Sequence, residues 1–99
     1  MAKSNPLPVR RAVSDVGSHL AAWRKMQNLT AQQVAERANI SRDTLRRLEH
    51  GDPGVSLATV LNVARGLGLL DRLVDAFDPY QTDVGRARAS MALPKRVRH

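Results

Sequence analysis

Apolar residues recur at helical spacing along most of this chain, and short polar segments separate one set from the next. Val34, Ala35 and Ala38 fall on one helical face, and Leu45 and Leu48 form the apolar stripe of a second short segment. The interval between the two stripes is only a few residues. This pattern predicts two short helices joined by a tight turn.

Residues that satisfy exposed backbone groups mark the ends of these two helices. Thr30 is a natural N-cap, and Gln33 three residues later completes a capping box. Asn39 lies at the turn and tolerates the left-handed conformation. Ser41 can cap the second helix, and Gly51 can end it as a C′ residue. The local chemistry therefore agrees with the apolar pattern.

Three further helices are predicted around this pair. The first covers about residues 15–27, the fourth follows an N-cap at Ser56, and the fifth covers residues 69–77. Their apolar positions are Val16, Leu20 and Trp23 in the first, Leu57, Val60, Leu61 and Ala64 in the fourth, and Leu70, Leu73, Val74 and Phe77 in the fifth. The expected fold is all-α, a compact five-helix bundle.

No strand is required, although the tail would permit a short one at Val84, Met91, Leu93 and Val97.

Positive charge is concentrated at the two ends of the 99-residue chain. Residues 1–14 carry a charge of +3 and residues 79–99 a charge of +4, whereas residues 15–78 are neutral overall. We therefore expect a neutral bundle with basic N- and C-terminal arms. Such arms favour nucleic acid through counterion release, or they are merely solvated termini.

Composition argues against several classes of function. The chain has no cysteine, and its histidines lie on separate elements without metal-ligand spacing. It has no phosphate-binding loop or nucleophile motif, so neither an enzyme nor a bound cofactor or metal is expected. Three aromatic residues are too few to stack single-stranded nucleic acid. No apolar run is long enough for a membrane span or signal peptide, which predicts a cytoplasmic protein.

The second helix of the pair has a polar front opposite its apolar stripe. At about 100° per residue, this front carries Arg42, Asp43, Arg46, Arg47 and His50. Its size and charge suit the major groove of duplex DNA.

The segment from residue 29 to 51 resembles the helix-turn-helix of the phage-repressor (Cro/CI, or XRE) family. The matching positions are Leu29, Thr30, Val34, Ala35, Ile40, Ser41, Leu48, Glu49 and Gly51, and the similarity continues through GDPGVSLATVLNVARGLGL. Two positions depart from the family pattern, since Ala31 replaces a phosphate-anchoring Gln and Asn39 replaces the turn glycine. The resemblance implies a lambda-repressor-like DNA-binding domain at residues 15–78, between arms at 1–14 and 79–99.

By this resemblance, base edges are contacted by Arg42, Asp43 and Arg47, whereas Arg46 and Ser41 meet phosphates. Asp43 would bind cytosine or, equally well, orient an arginine or complement the helix dipole. The full set of expected DNA-contacting residues is Arg10, Arg11, Thr30, Gln32, Gln33, Ser41, Arg42, Asp43, Arg46, Arg47 and His50. Asp52, in a loop that is often basic in this family, argues for modest affinity per subunit.

The family also implies a clamp and a dimer. An ion pair between Arg24 and Glu49 would hold the second helix of the pair, the recognition helix, to the rest of the domain.

The expected homodimer would bind a palindromic operator. Its interface is expected at Leu67, Leu69, Leu70, Leu73 and Phe77, although the same apolar stripe could simply complete the monomer core.

A second resemblance, to HipB-like antitoxins encoded beside HipA-type kinase toxins, is carried by RRLEHGDPGVSLATVLNVARGLGLLDRL followed by the Leu-Pro-Lys-Arg-Val-Arg ending at residues 93–98. The resemblance implies a repressor of its own operon that also binds and neutralises a HipA-like kinase. The alternative is a free-standing regulator, either a prophage repressor or a restriction–modification controller protein. A third hypothesis is a protein-interaction module that binds no DNA.

Overall fold

The computed structural model describes residues 4–92, which form six α-helices and one 3₁₀ turn without any strand in that range. The elements are α1 (Leu7–Met26), α2 (Ala31–Ala38), α3 (Arg42–Glu49), α4 (Leu57–Gly66), α5 (Leu70–Phe77), the 3₁₀ turn (Pro79–Gln81) and α6 (Asp83–Ala92). The predicted all-α class is confirmed, but the predicted count of five helices is wrong. Lys3 of the expected N-terminal arm and residues 93–98 of the expected tail motif lie outside the described residues.

Helix α1 begins eight residues earlier than predicted, so most of the expected N-terminal arm is helical. Pro6 is the N-cap residue and Pro8 lies in the first turn, where a proline costs no hydrogen bond. Val9 and Val13, one helical turn apart, line an apolar groove against the loop that follows α3. The basic residues at 10 and 11 therefore lie on a helix.

The additional helix is α6, in the segment for which a short strand was permitted. Val84 and Met91 both lie within it, while Leu93 and Val97 are outside the described residues. α6 packs on the 3₁₀ turn. A Cβ atom at Gly85 would overlap the carbonyl oxygen of Pro79, so this contact depends on glycine.

The core lies where α1, α2, α3 and α4 meet. α2 packs against α4 and α3, and α1 packs against α3. Its buried apolar residues are Leu20, Val34, Ala35, Ala38, Leu45, Leu48, Val63 and Leu67. The buried face of α4 differs from the prediction: Leu57 is exposed at its first turn, whereas Val63, which was not expected in the core, is completely buried.

The predicted caps are confirmed by their hydrogen bonds. The Thr30 hydroxyl accepts from the Gln33 backbone N–H at 3.0 Å, and the Gln33 side chain accepts from the Thr30 N–H at 2.8 Å. The Ser41 hydroxyl accepts from the Thr44 N–H at 3.0 Å. Asn39 adopts the left-handed conformation at φ 56°, which fixes the turn between α2 and α3.

Helices α1 and α3 approach each other closely at Gly17. A Cβ atom there would overlap the carbonyl oxygen of Leu48 and would lie 2.9 Å from that of Glu49. Gly17 therefore allows the backbone of α1 to rest directly on the last turn of α3, which fixes the position of that helix.

Candidate nucleic-acid interface

Helix α3 places its apolar and polar residues on opposite sides. Leu45 and Leu48 are buried against the core, while Arg42, Asp43 and Arg46 are exposed. Ser41 begins the helix, and its hydroxyl is bonded to both the backbone N–H and the hydroxyl of Thr44. The exposed face is thus a rigid cationic surface one helix wide, the width that a major groove admits.

The predicted clamp between Arg24 and Glu49 is present. Nε of Arg24 donates to Oε2 of Glu49 at 2.8 Å, and Nη2 donates to Oε1 at 3.1 Å. The Arg24 Nη1 also donates to the Leu29 carbonyl at 3.2 Å, so the same side chain holds the segment that leads into α2. The side chains are only 15% and 11% exposed. The hydrogen bond to Glu49 raises the pKa of Arg24, so this guanidinium keeps its positive charge.

The cations at the start and middle of α3 differ in their partners. No ion pair or side-chain hydrogen bond involves Arg42 in the described part of the chain. Arg46 pairs with Asp43 one turn earlier, at 2.8 Å, but both side chains are 66% exposed. An exposed pair of this kind contributes little to stability and exchanges readily with water or another anion.

Arg47 is held by a contact that the sequence analysis missed. Its Nε donates to Oδ2 of Asp52 at 2.8 Å, and Oδ1 of Asp52 accepts from the Gly54 backbone N–H at 2.7 Å. The hydrogen bond from Arg47 and, to a smaller extent, that from Gly54 hold the pKa of the Asp52 carboxyl below its usual value. The only sequence signal was an acid five residues after an arginine across a Gly-containing turn.

Two of the side chains expected to contact DNA at the start of α2 already form hydrogen bonds within that helix. Oε1 of Gln33 is used by the capping box, and Gln32 donates to Glu36 at 3.2 Å. Thr30, Gln32 and Gln33 are all exposed. A polar cleft lined by Ala31, Arg42 and Arg46 lies between this helix start and α3.

Two comparisons bear on this geometry. The helix-turn-helix domain family matches residues 15–77, which run from the middle of α1 to the end of α5. The chain belongs to the helix-turn-helix domain family. The immunity repressor protein of Bacillus phage phi105 is 43% identical over 54 residues, which are 54% of this chain and 38% of that protein. The chain thus spans well under half the length of that relative. No solved structure is significantly similar to this chain.

The remaining predicted DNA contacts of this helix-turn-helix domain lie around α3. The His50 ring donates from Nδ1 to the Arg46 carbonyl at 2.7 Å, at the end of α3. Arg10 and Arg11 are exposed on the first turns of α1. Because they lie on a helix that packs beside the α3–α4 loop, they are fixed in direction rather than carried by a flexible arm.

The predicted dimer surface divides into buried and exposed parts. Leu67 belongs to the core of the monomer, so its side chain is not available to a second subunit. Leu69, Leu70 and Leu73 are half-buried, and Phe77 is 86% exposed. Phe77 and Val74, which is 57% exposed, leave apolar surface uncovered on α5 in the single chain.

From residue 4 to residue 92, no helix is both long and apolar enough to cross a membrane. The same residues contain no cluster of His, Cys, Asp or Glu able to hold a metal ion.

Proposed function

We propose that this chain is a sequence-specific transcriptional repressor that binds double-stranded DNA through α3. The observation that carries the proposal is the exposed cationic face of α3, held to the scaffold by Arg24 and Glu49 within a helix-turn-helix domain. The named relative is an immunity repressor, which supports the same function.

In this proposal the exposed arginines divide the work of recognition. Arg42 carries no internal partner among the described residues, so it can bind guanine without first breaking a bond. Arg46 exchanges Asp43 for a phosphate, and the backbone around Ser41 contributes at the start of the helix. Asp43 then accepts from cytosine or returns to Arg46.

The first prediction tests this assignment. Arg42→Ala and Arg47→Ala should each weaken binding to the operator about tenfold to a hundredfold, because each removes one bidentate base contact. Both side chains lie off the apolar stripe, so thermal melting should be unchanged for Arg42→Ala and only slightly lower for Arg47→Ala, which removes the partner of the Asp52 carboxylate. Duplexes selected from a random pool by the wild-type protein supply the operator for fluorescence anisotropy.

The matched control is Arg65→Ala, which removes a similar cation from α4. Its Nη2 bonds the Arg37 carbonyl, outside the α3 surface. Wild-type affinity and base preference in both α3 variants would refute the recognition-helix assignment.

We also propose that the repressor is a homodimer through α5 and binds a palindromic operator. The prediction is that Phe77→Asp gives a monomer with an intact fold, because this side chain is 86% exposed in the single chain. Sedimentation at micromolar concentration should show the change, together with weaker operator binding. Val84→Asp, also at an exposed apolar position, is the control. A wild-type protein that sediments as a monomer throughout would exclude this dimer.

Two biological settings remain as proposals. The phage relative supports a free-standing repressor. The tail motif, at residues 93–98, supports a HipB-like antitoxin that binds and neutralises a HipA-like kinase. A neighbouring gene for such a kinase, together with its co-purification with this protein, distinguishes the second from the first.

A further inference from the structure

Three hydrogen bonds fix the carboxylate and the backbone N–H of Asp52, in the loop between α3 and α4. Its Oδ2 accepts from Arg47 Nε at 2.8 Å, and its Oδ1 accepts from the Gly54 N–H at 2.7 Å. Its own backbone N–H donates to the Arg47 carbonyl at 2.9 Å. The carboxylate therefore holds the Arg47 guanidinium against the backbone at the end of the recognition helix.

Gly54 provides the space that this arrangement needs. A Cβ atom at that position would lie 3.1 Å from Oδ1 of Asp52 and 3.6 Å from Nη2 of Arg47. The guanidinium thus lies beside a bare stretch of loop. The Arg47 side chain is still 42% exposed, so an external ligand can reach it.

The pair between Arg46 and Asp43 is different in kind. Both of its side chains are 66% exposed, and in the segment 4–92 the Asp43 carboxylate accepts from no other side chain or loop amide. Arg46 is consequently free to leave its partner for a phosphate. Arg47 has a partner that is itself held in place.

We infer that Asp52 is a positioning residue that sets the base preference of Arg47, an inference that rests on the proposed DNA-binding function. With Nε engaged by Asp52, the Nη1 and Nη2 groups at the end of the guanidinium remain for a bidentate acceptor. Guanine offers such an acceptor pair at O6 and N7. The same two groups could bind a phosphate bidentately, but a phosphate contact carries no sequence information, so only a guanine contact at Arg47 gives a base preference.

Asp52 has a second effect through its charge. A carboxylate beside the DNA-binding face reduces the attraction of every duplex, because it opposes the neutralisation of phosphates. The same residue therefore lowers affinity for random DNA and sharpens the choice among sequences. Its lowered pKa keeps it ionised at neutral pH.

The decisive variant is Asp52→Asn, which retains the size of the side chain. The Asn oxygen can still accept from Gly54, but the Asn amide cannot accept from Arg47. Selection of duplexes from a random pool should show that the preference for guanine at one position per half-site falls about tenfold. Affinity for a scrambled duplex should rise, and thermal melting should change little.

Arg47→Lys tests whether the base preference depends on the guanidinium itself, because lysine keeps the positive charge but lacks the planar group that donates two parallel hydrogen bonds. It should lose the preference at the same position, and the double variant with Asp52→Asn should lose no more. Asp75→Asn, which removes an equal charge from α5, should leave base preference at its wild-type value.

Three results would overturn the inference. One is an unchanged base preference in Asp52→Asn. Another is an equal loss of affinity for all duplexes together with a lower melting temperature, which would make Asp52 a loop anchor only. Failure of the wild-type protein to enrich any sequence would reject the proposed function as well, so the two failures are distinguishable.

Discussion

Arg24→Ala is expected to lower the free energy of unfolding by about 3 kcal/mol and to abolish operator binding. The substitution leaves the Glu49 carboxylate, 11% exposed, without its cation. It also removes the donor to the Leu29 carbonyl, so the entry to α2 loses a contact. Denaturant unfolding followed by circular dichroism measures the loss, and anisotropy with the selected duplex measures binding.

Lys25→Ala is the matched control, since it removes the adjacent, exposed cation from the same helix. It should change stability by less than about 0.5 kcal/mol. Replacing both members of the clamp, as Arg24→Met with Glu49→Leu, should recover much of the lost stability because no carboxylate is then left unpaired. Equal stability losses in the Arg24 and Lys25 variants would show that the clamp is energetically unimportant.

The second large effect is expected at Gly17. In a helix with free space, replacing glycine by alanine stabilises by about 1 kcal/mol. Here the new Cβ atom would overlap the Leu48 carbonyl oxygen, so α1 must move away from α3. We expect Gly17→Ala to destabilise the protein by about 3 kcal/mol because backbone atoms cannot rotate aside as a side chain can.

Thermal and denaturant unfolding of Gly17→Ala and of Ser18→Ala provide the comparison. Ser18 is the exposed neighbour on the same helix, and its substitution should be neutral or slightly stabilising. If Gly17→Ala were the more stable protein, α1 and α3 could not be in the close contact described.

Features that depend on a few consecutive residues could be predicted from the sequence. The capping box of Thr30 and Gln33 and the cap at Ser41 need only a hydroxyl or amide at a fixed spacing from the helix start. The left-handed Asn39 is local in the same sense. Because Asn39 and Ser41 mark the turn between α2 and α3, they locate the start of the helix that carries the candidate interface.

Features that depend on packing between distant segments could not be predicted in this way. The early start of α1 was not predicted because charged neighbours conceal the helical spacing of Val9 and Val13, which line a groove beside the loop after α3. α6 depends on the close approach of Gly85 to Pro79. The apolar stripe of α4 was misjudged at Leu57 because the neighbouring helices, rather than periodicity alone, decide which residues become buried.

The bond between Arg47 and Asp52 was missed for another reason. Resemblance to a family draws attention to positions where residues agree, and Asp52 was notable only as a departure from a basic position. The hydrogen bond from Arg47 exists because the loop after α3 folds back and places the Asp52 carboxylate beside that helix.

The close crossing at Gly17 also bears on how operator variants are tolerated. With α1 resting on the last turn of α3, α3 has little freedom to tilt, so under the proposed DNA binding it would not adjust to a half-site that differs in groove width or helical twist. Adjustment must then come from the DNA, which bends or twists at a cost set by its own sequence. We therefore expect base pairs that the protein never touches, especially between half-sites, to influence affinity through the stiffness of the duplex.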